Sequence, residues 1–336
     1  MVATTVVGLW LPSLGLGGKQ YMKVGKSGGS GSVVLKNKIT KTELRRQSVL
    51  LIIAGLYVIY GIVFYYLPLA GWTMAFENFK LKDGVFGSEK VGFKWFKTLF
   101  EDKTFIRVIR NTLAMGVINL IATTVTAIGF AILLSEVRNV MGKKIVQTIS
   151  YLPHFLSWIV VTSIVKDAFA TKGMINELLT SLGIIKTPIS FFMHTQYFWP
   201  IVAISNVWKE TGWNAIIYLA TITAIDPSLY EAAAMDGAGR WQRIKHITIP
   251  GIRSTIIILL IMNIGNVINA GFEVQYLLGL GVLKPVSETI DIYVLNYGMK
   301  NFSLGTAAGI FKTFVSMTLI LLFNFIAKKT GDERLF

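Results

Sequence analysis

"EAAAMDGAGRWQRIKHITIP", residues 231–250, has the composition of a water-exposed helix pair, although long apolar runs flank it on both sides. Asp226-Pro227 precedes it and predicts a helix start, because an aspartate accepts the free N–H groups of a first turn and proline fits the first helical position. Gly237 predicts a sharp turn, and Pro250 predicts the end of a second short helix. The stretch therefore predicts a helix-turn-helix that lies outside the lipid.

The composition of the chain indicates a membrane protein. Its 336 residues are 53% hydrophobic and 15% charged, with a mean hydropathy of +0.58, whereas soluble domains carry about 25% charged residues. Cysteine is absent and the three histidines are widely spaced, which excludes disulfides and Cys nucleophiles and disfavours a metal site. The net charge of +15 fits cytoplasmic loops and anionic headgroups better than nucleic acid.

The apolar pattern predicts an all-α polytopic membrane protein with six transmembrane helices. Each predicted span has roughly the 20 residues that a helix needs to cross the hydrocarbon core. The predicted spans cover residues 49–70, 111–134, 145–165, 198–224, 254–276 and 306–327. An even number of spans places both termini on the same side of the membrane, together with the loop 225–253.

Lysine and arginine orient the predicted spans. The side that holds the termini carries 18 of these residues outside the spans, and the far side carries 13. Much of the far-side total lies in one long loop, whereas short loops near helix ends carry the orientation signal. We therefore expect both termini and the loop 225–253 to be cytoplasmic.

The ends of the chain are predicted to be tails around one membrane domain. Residues 1–47 form a cytoplasmic tail that contains the flexible linker "GKSGGSGS", residues 48–328 form the transmembrane domain, and residues 329–336 form a short cytoplasmic tail. The apolar start lacks a basic n-region, so it does not fit a signal peptide. Gly25-Lys26-Ser27 resembles the end of a phosphate-binding loop, but Gln20 stands where that motif needs its first glycine.

Two interpretations of residues 231–250 are open: an amphipathic helix pair on lipid headgroups, or a docking element for a soluble partner. The spacing favours docking. Glu231-Ala232-Ala233, three residues, Gly237, nine residues and Ile247-Thr248-Ile249-Pro250 resemble the EAA loop of ABC importer permeases. Only Ile249 departs from the family pattern, in which leucine stands at that position.

The resemblance implies the type I ABC importer permease fold, located in the bacterial inner membrane. It implies that the loop docks as a coupling helix in a groove of an ATPase subunit, where Glu231 pairs with a basic residue, Ala232 and Ala233 pack closely and Gly237 makes the turn. The expected docking residues are Glu231, Ala232, Ala233, Gly237, Arg240, Ile247 and Pro250.

The same resemblance implies a set of partners. These are a second similar permease, two ATPase subunits that bind ATP and Mg, and a periplasmic solute-binding protein that docks on the loops 76–101 and 286–301. This chain is then expected to carry no catalytic site, cofactor or metal of its own. Residues 206–250 look like the branch that imports oligo- and polysaccharides, which includes an importer of the acidic polysaccharide alginate.

Polar residues within two predicted spans are the candidate substrate path. At helical spacing they fall on one face, and such polar groups within a membrane face protein or a water-filled cavity. The fourth span and the fifth span supply Asn206, Lys209, Glu210, Trp213, Asn214, Asn263, Asn266 and Asn269.

The alternative for both groups is hydrogen bonding between helices, without contact to any ligand. Lys209 and Glu210 then neutralise each other or partners on neighbouring helices. In the third span, Pro153-His154 predicts a kink with a hydrogen-bonded imidazole.

A different functional class is an ion-coupled secondary transporter or channel, in which intramembrane charges carry the coupled ion. That class usually has inverted repeats, and the sequence shows none. A membrane enzyme is disfavoured because no nucleophile, base and orienting residue form a set.

Overall fold

The computed structural model describes residues 47–329, and these are mainly helical. Helices longer than ten residues are joined by short ones. In chain order the α-helices are α1 Ser48–Gly61, α2 Gly84–Gly87, α3 Lys94–Glu101, α4 Lys103–Ser135, α5 Val140–Phe155, α6 Trp158–Ala168, α7 Met174–Ser181, α8 Phe198–Thr223, α9 Pro227–Met235, α10 Arg240–Arg243, α11 Ile249–Gly251, α12 Arg253–Ile264, α13 Phe272–Leu278, α14 Lys284–Ser287, α15 Ile290–Tyr293 and α16 Phe302–Lys329.

Tighter and wider helical turns connect these elements. The 3₁₀ segments are Leu67–Phe76, Phe191–Met193, Thr195–Tyr197, Val267–Asn269 and Gly281–Leu283. The π-helical segments are Ile62–Tyr66, Ile244–Thr248 and Val294–Gly298. The strands in the described part of the chain are β1 Glu77–Asn78 and β2 Glu89–Lys90, an antiparallel pair in which Glu77 faces Lys90.

The chain divides into two compact units at Trp72. The described part of the first unit contains α1, which buries none of its residues. The apolar side chains of α1 are exposed, and the ring of Tyr60 contacts that of Phe64 in the following π segment, with the ring centres 4.7 Å apart and tilted by 33°. The predicted tail 1–47 lies outside the described residues apart from Gln47, and so does nearly all of the predicted tail 329–336.

In the second unit, α4 runs through all three hydrophobic clusters. Its N-terminal part contributes Phe105 and Val108 to a cluster with α3, α15 and α16. Its middle contributes Met115 to a cluster with α6, α8 and α13. Its C-terminal part contributes Ala127 and Ala131 to a cluster with α8. Helix α4 is therefore the packing centre of the second unit.

The lengths and hydropathies of the helices agree with the predicted spans in part. Within residues 47–329, four segments are long and apolar enough to cross a membrane: Ser48–Phe76, Lys103–Ser135, Arg253–Leu278 and Phe302–Lys329. The pair α5 and α6 gives a fifth if it is counted as one bent span. Helix α8 has 26 residues at the position of the predicted fourth span, but its polar centre lowers its hydropathy. The number six therefore stays a prediction.

Two predicted spans differ from straight helices. The third is broken between Phe155 and Trp158, where α5 and α6 meet at a bend of 104°. The fifth is broken after Ile264, and Ala270 and Gly271 then adopt left-handed conformations with φ of 47° and 74°. The kink expected at Pro153-His154 lies within three residues of the observed break.

Candidate functional site

The loop 225–253 begins with the predicted cap. The main-chain N–H of Ser228 donates to the Asp226 carboxylate at 2.9 Å, and Pro227 is the first residue of α9. This hydrogen bond lowers the pKa of the Asp226 carboxyl below its usual value. The capping aspartate thus stays ionised at the helix N-terminus, where a negative charge is stabilising.

The corner of the loop lies at Gly237, as predicted. Its φ is +77°, a conformation that L-residues with a Cβ rarely adopt. The N–H groups of Gly237 and Ala238 donate to the carbonyls of Ala234 and Ala233 at 3.1 and 2.8 Å. These bonds pair the last carbonyls of α9 and close the helix with a left-handed C-terminal turn.

The second arm of the loop differs from the prediction. It contains an unpredicted π segment at residues 244–248 between α10 and α11, and it ends at Gly251, one residue after the predicted end at Pro250. Proline lacks an N–H and its ring displaces the preceding turn. A wider π turn at residues 244–248, two residues before Pro250, accommodates this.

The two arms are joined side by side and present an exposed tip. The hydroxyls of Tyr230 and Thr248 lie 3.0 Å apart, and Thr248 is buried. At the tip, Met235 is 89% exposed and Trp241 is 73% exposed. Two of the predicted docking residues, Ala233 and Ile247, are half-buried. The other five are exposed: Glu231, Ala232, Gly237, Arg240 and Pro250.

In the predicted substrate face, Lys209 lies inside the protein. Its side chain is 5% exposed, and its Nζ donates to the main-chain carbonyls of Pro153, His154 and Leu156 at 3.3, 2.5 and 2.9 Å. The Oε1 atom of Glu210 is 3.8 Å from the same nitrogen. The ammonium charge is therefore neutralised by protein groups.

Glu210 and Trp213 form a half-exposed cluster with a residue from α5. Nδ1 of His154 donates to Oε2 of Glu210 at 2.8 Å. The imidazole of His154 stacks parallel to the Trp213 indole with the ring centres 4.4 Å apart, and Phe155 meets the same indole edge-on. Trp213 is 41% exposed. The cluster thus offers a carboxylate, an imidazole and an aromatic face.

The predicted asparagines are placed in different ways. Asn206 is buried and its Nδ2 donates to the Val202 carbonyl of its own helix at 2.9 Å, which is neither a bond between helices nor an exposed position for a ligand. Asn214 is half-buried, whereas all three fifth-span asparagines are exposed. Asn269 donates to Asn266 at 3.2 Å.

The structure brings Lys209, Glu210 and Trp213 together around the end of α5, but it does not join them to the fifth-span asparagines. Among residues 47–329, no hydrogen bond or ion pair links the two groups. The fifth-span asparagines lie at the break between α12 and α13. Asn263 is in α12, and Asn269 ends the 3₁₀ segment. These are therefore two separate polar surfaces.

The substrate path predicted from the sequence included Glu210 and Trp213 but not His154. The prediction of a hydrogen-bonded imidazole at a kink was confirmed. Its partner could not be identified, because Glu210 lies 56 positions away along the chain. The signal in the sequence was the Pro153-His154 pair, which marks the end of α5.

The comparisons with known proteins agree with this architecture. Residues 124–330 match the family model of binding-protein-dependent transport system inner membrane components. The chain is 42% identical to the polygalacturonan/rhamnogalacturonan transport system permease protein YteP of Bacillus subtilis strain 168, over 90% of this chain and 94% of that protein. It is also 42% identical to the protein LplB of the same organism, over 85% of this chain and 90% of that protein.

A solved structure shows the same fold. It is the crystal structure of a bacterial ABC transporter involved in the import of the acidic polysaccharide alginate, and a chain of it matches with a TM-score of 0.78 and 34% identity. The match covers 86% of this chain and 98% of that chain. The type I ABC importer permease fold is thereby confirmed. This multi-pass inner-membrane chain belongs to the family of binding-protein-dependent transport system inner membrane components.

Proposed function

We propose that this chain is one of two permease subunits of an ABC importer for acidic oligo- or polysaccharides, and that separate ATPase subunits bind ATP and drive it. The relative with 42% identity is a permease of a polygalacturonan and rhamnogalacturonan transport system, and the structural neighbour takes part in alginate import. Both transport systems handle acidic polysaccharides. The chain itself supplies the passage and carries no catalysis.

The exposed tip of the loop 225–253 is the observation that carries the proposal. Apolar side chains such as Met235 and Trp241 are exposed in the described chain, and an exposed apolar tip supports a role in binding a partner. The loop is also stiff, because hydrogen bonds fix its corner and join its arms. A stiff loop joined directly to α8 and α12 transmits a push from closing ATPase subunits, whereas a mobile loop would absorb it.

The proposed substrate contacts are the half-exposed residues of α5 and α8 and the exposed asparagines of the fifth span. A sugar hydroxyl hydrogen-bonds to Glu210 or His154, and a pyranose C–H face packs on Trp213. The amides of Asn263, Asn266 and Asn269 offer further donors and acceptors. The Oε1 atom of Glu210 lies 3.8 Å from the Nζ atom of the buried Lys209, so this face carries an ion pair.

The proposed topology places both termini and the loop 225–253 in the cytoplasm. The transmembrane domain is residues 48–328, between the tails 1–47 and 329–336. The loops 76–101 and 286–301 then face the periplasm, where they dock the solute-binding protein. The second permease completes the passage.

The proposal is tested by reconstituting the chain in liposomes with its candidate partners. Uptake of oligogalacturonate and ATP hydrolysis are measured with and without the ATPase subunits. We expect uptake only with ATPase, permease and binding protein together. Uptake by this chain alone, without ATP, would instead support the ion-coupled transporter or channel.

The docking role is tested by Glu231→Ala, with Glu136→Ala as the control. Both glutamates are exposed and both lie in loops that we place on the cytoplasmic side. Glu231→Ala is expected to weaken association of the ATPase or to uncouple its hydrolysis from uptake. Glu136→Ala is expected to do neither. A Glu231→Ala variant that assembles and transports like the wild type would contradict the docking role.

A further inference from the structure

The bend between α5 and α6 creates a need for hydrogen-bond donors. A helix leaves its last carbonyls without intrahelical partners, and α5 ends at Phe155 only three residues before α6 begins. The Leu156 N–H donates to the Pro153 carbonyl at 3.2 Å, and the remaining carbonyls at the end of α5 need donors from elsewhere. A break of 104° is therefore stabilised if another part of the protein supplies such donors.

The side chain of Lys209 supplies them. Its ammonium group has three N–H donors, and the structure places three main-chain carbonyls within hydrogen-bond distance, those of Pro153, His154 and Leu156. A positive charge is also favoured at a helix C-terminus. The whole donor capacity of this buried lysine is thus used at the end of α5.

The same ammonium group contacts the start of α6. Its Nζ lies 5.5 Å from the centre of the Trp158 ring, and Trp158 is the first residue of α6. This is within the range of a cation–π interaction. Ser157 caps α6 on its own, because its hydroxyl accepts from the Val160 N–H at 3.4 Å. One side chain of α8 therefore contacts both halves of the bent span and the residue between them.

Close packing of α8 against α5 allows Lys209 to reach the break. One turn along α8, Gly212 lies against the main chain of Ser150 so closely that an added Cβ would overlap the Ser150 carbonyl. One turn beyond Ser150 in α5 is Pro153, whose carbonyl accepts from Lys209. The glycine contact and the lysine contact are thus consecutive turns of one helix pair.

We propose that Lys209 is a positioning residue that fixes the bend of the third span and thereby holds His154 against Glu210 and Trp213. This role replaces the substrate contact expected from its place on the polar face of α8. It depends neither on the identity of the transported sugar nor on the docking of the ATPase.

The bend is measured directly in the full-length chain in lipid nanodiscs. The protein has no cysteine, so Ile149→Cys in α5 and Ile159→Cys in α6, both at exposed positions, give a single pair of spin labels. We expect a narrow distance distribution in the otherwise wild-type chain. Lys209→Met is expected to broaden it at least twofold.

Matched variants separate this role from general damage. Lys209→Arg keeps the charge and several donors and should restore most of the narrow distribution, whereas Lys209→Gln, with two N–H donors and no charge, should give an intermediate width. Lys166→Met removes an exposed lysine from α6 and should change nothing. If Lys209→Met does not fold, Lys209→Gln still provides the test.

The proposal is overturned if Lys209→Met or Lys209→Gln keeps the wild-type distribution. In the reconstituted importer, uptake of oligogalacturonate should fall as the distance distribution widens, so that Lys209→Arg is the most active of the three variants and Lys209→Met the least. Narrow widths combined with lost uptake in Lys209→Gln would indicate a direct sugar contact and also overturn the proposal. Because the distance measurement needs no transport, a failure of the importer function would be recognised separately.

Discussion

The Nδ1 atom of His154 lies 2.8 Å from the Oε2 atom of Glu210, although the two residues belong to different helices, α5 and α8. The pair lies beside the indole of Trp213, which stacks on the imidazole. A carboxylate with a fixed orientation next to an aromatic face suits a sugar, which presents hydroxyls at its edge and C–H groups on its face. The pair thus defines where contact with a passing saccharide is expected.

The first prediction concerns the aromatic face of this cluster. Trp213→Ala should lower the initial rate of ATP-driven oligogalacturonate uptake roughly fivefold, because an aromatic pair contributes about 1 kcal/mol beyond its buried area. Trp213→Phe, which keeps a ring, should lose less. Trp208→Ala on the same helix removes an indole of similar exposure and serves as the control. Equal losses in Trp208→Ala and Trp213→Ala would argue against a sugar contact.

The second prediction concerns the contact between α5 and α8. Gly212→Ala should lower the stability of the chain by about 1–3 kcal/mol, because the new methyl group overlaps the Ser150 carbonyl and the helices must separate. The measurement is the apparent Tm in detergent. Gly129→Ala in α4 is the control, since no atom lies within 4 Å of its added Cβ. A Gly212→Ala Tm equal to that of Gly129→Ala would show that the helices tolerate separation.

The sequence allowed the helices and the loop to be predicted because their signals are local. Asp226-Pro227 and Gly237 act through hydrogen bonds to residues within five positions, and the structure shows the expected cap and corner. The fold class followed from apolar runs of sufficient length. In the same loop the π turn before Pro250 was not predicted, because no residue type specifies such a turn.

Pro153-His154 predicted a kink in the third span, but the 104° size of the bend and the role of Lys209 were not predictable in this way. Lys209 lies 53 to 56 positions along the chain from the residues that accept its hydrogen bonds. The accepting groups are main-chain carbonyls, which every residue carries. The adjacent Glu210 offered a simpler partner for the lysine. Only the close approach at Gly212, itself a long-range contact, brings the ammonium group to the end of α5.

The third prediction concerns a buried asparagine that joins α4 to the segment before α15. The Nδ2 of Asn111 donates to the carbonyls of Pro285 and Glu288 at 2.9 and 3.1 Å. Asn111→Ala should cost about 1–3 kcal/mol, because both carbonyls lose their donor in a buried place. Asn111→Asp should cost more, since a carboxylate oxygen would then face the two carbonyls. Denaturation monitored by tryptophan fluorescence gives the order, and a more stable Asp variant would contradict it.

The fourth prediction concerns the corner of the loop 225–253. No atom lies within 4 Å of a Cβ added at Gly237, so a substitution there acts through the left-handed backbone alone, at about 1–2 kcal/mol for an ordinary L-residue. Gly237→Val, which is β-branched, should therefore reduce copurification of the ATPase subunit strongly. Gly237→Asn should reduce it less, because asparagine adopts this conformation more readily. Both variants leave Glu231 and the apolar tip unchanged, so the comparison isolates the shape of the corner. If valine and asparagine reduced ATPase association equally, the effect would come from side-chain size at the interface, and the corner geometry would not be what the partner requires.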